Sequence, residues 1–146
     1  MTRTPRRQSR EAALQALYFW EVGGSAPDEA LEHVFDEHLP EAPESVRVFA
    51  ERLMRGAVAE HQQIDGLIQR QANHWRLERL AVVDKLILRL AVWELQHHPE
   101  TPPAVVVNEA LELARTFSTD ESVKFVNGVL DGIRRTLADT VQESKE

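Results

Sequence analysis

The 146-residue sequence contains no cysteine, which excludes disulfides, thiolate catalysis and every zinc site built on sulfur. The same absence suits a reducing compartment, and a cytoplasmic location is expected. Glycine is scarce, at six residues, and no turn pair sits between alternating apolar runs, so hairpins are not expected. No run of eighteen apolar residues occurs, which removes a transmembrane helix. The basic start, Met1-Thr2-Arg3-Thr4-Pro5-Arg6-Arg7, leads into Gln8-Ser9-Arg10-Glu11 rather than an apolar segment. Neither a secretory signal nor a twin-arginine leader is therefore expected.

Motifs of chemistry are missing too. The sequence has no Gly-x-x-x-x-Gly-Lys-Ser/Thr loop, no Gly-x-Gly-x-x-Gly, no Gly-x-Ser-x-Gly elbow and no His-Glu-x-x-His. None of the six histidines, His33, His38, His61, His74, His97 and His98, pairs with another at i, i+4. No metal, no cofactor and no enzymatic activity are expected. Asp84 and Glu94 are the acids that fall in apolar surroundings. A dyad is one reading of them, and ion pairing with Arg89 or Lys85 is the plainer one.

What is present is ordinary globular stock, 42% apolar and 28% charged, with charge unevenly spread. Residues 1–10 hold four arginines and no acid, whereas residues 11–46 hold nine acids and no lysine or arginine. A basic arm on a chain of net charge −7 points to a polyanion gripped at one end; a merely solvated tail is the alternative.

The apolar period is helical throughout. Thr4-Pro5 or Ser9 caps a first helix that Gly23-Gly24 ends, with Ala13, Ala16, Leu17 and Trp20 inward. Ala26-Pro27-Asp28 opens a second, and Pro40 and Pro43 close it. A third begins near Ser45 and breaks near His61. Leu80–Leu95 is apolar on nearly all sides and so central. Ala104-Val105-Val106-Val107 follows a proline pair and precedes strong helix formers, so it is read as helix, not strand. Ser118-Thr119-Asp120-Glu121 reads as a capping box for a last helix that buries Val123, Val126, Leu130, Ile133 and Leu137. After Asp139 a polar tail, 140–146, is expected to fray. The fold class is all-α, six to seven helices in one domain over 1–146.

Two surfaces invite RNA. Arg7 and Arg10 lead along the first helix toward Leu14 and Tyr18, with Arg3 and Arg6 just upstream. Guanidinium forks suit phosphates, and an aromatic nearby suits bases, although Tyr18 also reads as a core-edge ring. Lys124 and Phe125 lie beside the last helix's start, where free N–H groups could hold a phosphate; Phe125 as core is the alternative.

Four blocks then become familiar: Arg10-Glu11-Ala12-Ala13-Leu14-Gln15-Ala16-Leu17-Tyr18; Trp75-x-x-x-Arg79-Leu80-x-x-x-Asp84-Lys85-x-Ile87-Leu88-Arg89-Leu90-Ala91-x-x-Glu94-Leu95; Pro103-x-x-Val106-x-Asn108-Glu109-Ala110-Leu111-Glu112-Leu113-Ala114-Arg115-x-Phe117; and Lys124-Phe125-Val126-Asn127-Gly128-Val129-Leu130-Asp131. In this order they resemble the NusB family of bacterial transcription antitermination proteins; residues 21–74 add no motif. The resemblance implies two helical halves. It also implies binding to the boxA element of ribosomal RNA leader transcripts with a NusE-type small-subunit ribosomal protein, in a complex with RNA polymerase and other Nus factors. A role in ribosomal RNA maturation on the same surfaces is the alternative, and a homodimer that masks the arm is a further partner the resemblance allows. With no methyl-donor-binding α/β domain in the chain, the stand-alone factor is expected rather than a fused methyltransferase. Carried over residue by residue, Arg3, Arg6, Arg7, Arg10, Lys124 and Phe125 are expected on RNA, and Tyr18, Glu78 and Asp84 on the protein partner. The arm departs from the pattern in having no lysine and in its Gln8-Ser9 interruption.

Overall fold

Proline sets much of the punctuation in the computed structural model, which describes residues 4–72 and 80–145. Seven α-helices and no strand occur among these residues. They are α1 (Pro5–Glu21), α2 (Pro27–His38), α3 (Glu44–Ala59), α4 (His61–Ala72), α5 (Val82–His97), α6 (Pro103–Phe117) and α7 (Asp120–Lys145). Pro5, Pro27 and Pro103 open α1, α2 and α6, where the missing N–H costs nothing and the ring pre-sets φ. The valine run at 104–107 is thus the first turn and a half of α6, as the proline pair predicts.

The helices form two compact units, Met1–Glu60 and His61–Glu146. In the first, α1 packs on both α2 and α3. Ala13, Ala16, Leu17, Val34, Ala50, Leu53 and Met54 fill its interior. Trp20, expected inward, is only half-buried. The chain leaves α1 through two glycines that do different jobs. A Cβ on Gly23 would come within 2.8 Å of the Phe19 carbonyl oxygen, and Gly24 turns the chain at φ +71°.

In the second unit α5 is the central helix, touching α4, α6 and α7. Leu86 through Glu94 are all buried, as its all-round apolarity predicts. Arg89 is taken in with them, and its Nε and one terminal nitrogen each donate to Asp65 of α4 at 2.8 Å. The fork faces α4, whose Asp65 presents both oxygens, a partner that the sequence reading did not name. Gly132 of α7 lies against Gln71 of α4, whose amide occupies the space of a Cβ and donates to Thr136 at 3.3 Å. Two details of α7 differ from the sequence reading. Its helical backbone continues past Asp139 to Lys145, with no glycine or proline after Gly132 to stop it. Val123 and Leu137, both expected inward, are half-buried.

Candidate nucleic-acid interface

The first turns of α1 gather cations where a helix least favours them. Thr4 caps the helix, its hydroxyl accepting the Arg7 N–H at 3.1 Å, and the first turn carries no acid. Arginines at the positive end of the macrodipole gain nothing from the helix itself. Two of them lie against α3. The Arg6 guanidinium carbon sits 3.8 Å from the Phe49 ring centroid, and that of Arg10 sits 5.6 Å from the same centroid. Both distances fall within cation–π range. Ser9, rather than capping, donates its hydroxyl to the Val46 carbonyl at 2.9 Å and lies 3.1 Å from the Pro5 carbonyl.

This arrangement sorts the arginines. Arg6 is exposed and Arg7 half-buried, while Arg10 is only 6% exposed. A merely solvated tail is therefore corrected: from Ser9 onward α1 is already core, because Ser9 and Arg10 lie against α3. Arg3 and Glu78 lie outside the described residues. Tyr18 is 44% exposed, and Val22, which sequence reasoning passed over, is 54% exposed one turn further along. Their i, i+4 spacing was the available signal.

The second segment belongs to the second unit. Lys124 is exposed and Phe125 half-buried, between the two readings the sequence left open. The cap, however, is Thr119 and not Ser118: Thr119 Oγ1 accepts the Ser122 N–H at 3.1 Å. Asp120 and Glu121 occupy the first turn. With that N–H engaged and two acids beside it, the helix end is no phosphate seat, and side chains must carry any contact.

Ser118 and Ser122 serve Asp84 instead. Each donates a 2.7 Å hydrogen bond, one to each carboxylate oxygen, and Asp84 is 6% exposed. The partner-facing placement expected of Asp84 is corrected, since both oxygens are spent on tying α5 to the α6–α7 corner that leads to Lys124 and Phe125. Asp84→Asn replaces an acceptor with a donor facing a hydroxyl and should cost about 2 kcal/mol of stability in chemical denaturation. Partner affinity per folded molecule should be unchanged. A fall in that affinity with stability intact would restore Asp84 to the partner surface.

Phe125→Ala should weaken RNA binding by about 1–3 kcal/mol, the range for one base–aromatic stack. A titration of folded variant against RNA checks it; undiminished affinity with a destabilisation of about 3–5 kcal/mol would mark the ring as core.

Residues 7–135 match the NusB family. The transcription antitermination protein NusB of Koribacter versatilis is 47% identical over 132 residues, which are 90% of each chain. That of Bacillus velezensis is 43% identical over 129 residues, 88% of this chain and 95% of the other. Among solved structures, T. maritima NusB is similar at a TM-score of 0.83 and 38% identity, covering 92% and 93% of the two chains. NusB from a complex of the antitermination factors NusB and NusE with double-stranded RNA is similar at 0.82 and 30% identity, covering 90% and 97%.

Proposed function

The chain belongs to the NusB family of transcription antitermination proteins, and from that premise we propose that it binds the boxA element of ribosomal RNA leader transcripts jointly with a NusE-type ribosomal protein. It acts by binding, not by catalysis. The observation that carries the reading is the acid-free first turn of α1, where an exposed Arg6 and a half-buried Arg7 add their charge to the positive end of the helix. Arginine forks there match phosphates, and the excess of acid through the following 36 residues keeps RNA from settling on α2. Lys124 and Phe125 supply a second contact of the cation-plus-ring kind used for unpaired bases. That a similar protein has been solved with NusE and RNA supports both partners. Tyr18 in the last turn of α1 and Val22 at its C-cap, two exposed apolar side chains four residues apart, are the proposed docking contacts for the protein partner. The assembled pair would then join RNA polymerase and the other Nus factors.

Transcription in vitro through a terminator placed downstream of a boxA-bearing leader tests this. Adding the chain with the NusE-type protein should raise read-through, and scrambling boxA should abolish the gain. No gain on the intact leader, with ribosomal RNA precursor processing failing in cells that lack the protein, would instead favour a maturation role.

A further inference from the structure

We propose that Phe49 of α3 is the positioning residue of the RNA site, holding the exposed Arg6 on its ring so that its guanidinium edge is set before RNA arrives, while the buried Arg10 packs near the same ring. The inference rests on α1 being an RNA-binding segment and adds to it a residue that contacts no RNA. Phe49 lies in the 21–74 stretch that carries no motif and is itself 3% exposed, so it cannot stack on a base. Its ring is nevertheless the one that two arginines share, with guanidinium carbons at 3.8 and 5.6 Å from the centroid.

The chemistry follows from the shape of the cation. A guanidinium laid on a ring uses its flat face, and its N–H edge remains available for the fork contact with a phosphate. An exposed arginine ordinarily sheds considerable rotamer freedom on binding; one already seated on a ring has shed part of it. The electron-rich face of the ring also offsets the repulsion of two cations drawn to one place. Ser9, between them in sequence, fixes the backbone through the Val46 carbonyl, so helix and side chains are set by the same short stretch of α3.

The test replaces Phe49 with pentafluorophenylalanine, which keeps the ring's apolar bulk and reverses the charge pattern of its face, in the full chain and again in an Arg6→Ala background. The probe is a boxA-type single-stranded RNA, read by fluorescence anisotropy, with melting temperature and affinity for the NusE-type protein measured alongside. The fluorinated ring should weaken RNA binding about three- to ten-fold, leave melting and partner affinity unchanged, and have no further effect once Arg6 is alanine. An RNA affinity untouched by fluorination, while Arg6→Ala still lowers it, would overturn the role of Phe49 and leave the RNA site standing. The same loss in both backgrounds would overturn it as well, since Phe49 would then act on structure rather than on Arg6. If Arg6→Ala itself changes nothing, the RNA reading of α1 fails and the proposal with it.

Discussion

Replacing Arg6 and Arg7 together with alanine is expected to weaken RNA binding about 10- to 100-fold, each charge-assisted contact being worth roughly 1.5–3 kcal/mol before neighbouring groups compensate. The salt dependence should change with it. Each phosphate contact on single-stranded RNA contributes about 0.7 to the slope of log affinity against log salt, so losing two should flatten the slope by about 1.4. Stability should hardly move, because Arg6 is exposed and Arg7 only half-buried. Point substitution is the sharper instrument than truncation at residue 10. Truncation would remove Ser9, whose hydroxyl bonds α3, and Arg10, which is buried beside Phe49, and would confound binding with folding. Anisotropy titrations over a salt series check both quantities; an unchanged affinity and slope would remove α1 from the interface.

Arg89→Met should be the most destabilising of these substitutions, by about 3–5 kcal/mol, while leaving the α1 segment untouched. Arg89 makes two 2.8 Å contacts to Asp65, and its side chain is 4% exposed. Removing the fork leaves the half-buried Asp65 carboxylate, 22% exposed at its side chain, without that cation. The cost comes from that stranded charge rather than from any large net worth of the pair, so the double variant Arg89→Met with Asp65→Leu should recover most of the loss. Denaturant unfolding of the two variants decides it. Equal instability of single and double variants would mean that the fork does more than neutralise Asp65.

Much of the fold was legible because its signals are local. Proline at the first helical position, the glycine pair after α1 and the all-round apolarity of α5 each act within one or two turns, and each predicted its element. What was not legible depends on neighbours distant in sequence. Whether Arg10 is a surface cation or a buried one is decided by Phe49, 39 positions later. Whether Asp84 faces outward is decided by Ser118 and Ser122. Asp65, an ordinary acid on a polar-looking helix, gives no sign that it will neutralise Arg89. The capping box failed for a smaller reason: Ser118 and Thr119 are both good caps, and Asp84 claims the hydroxyl of the first. The candidate RNA residues were visible through charge and resemblance, but their ranking was not. Only the packing of α1 on α3 separates Arg6 and Arg7, which can reach a ligand, from Arg10, which is held beneath them.

The most direct test of the account is RNA affinity measured with and without the NusE-type protein across a salt series, using a boxA-type RNA and a scrambled one. The chain alone should bind both weakly with a steep salt dependence, and the partner should tighten binding to boxA while leaving the scrambled RNA behind. Binding that is insensitive to salt and indifferent to both the partner and the RNA sequence would contradict it.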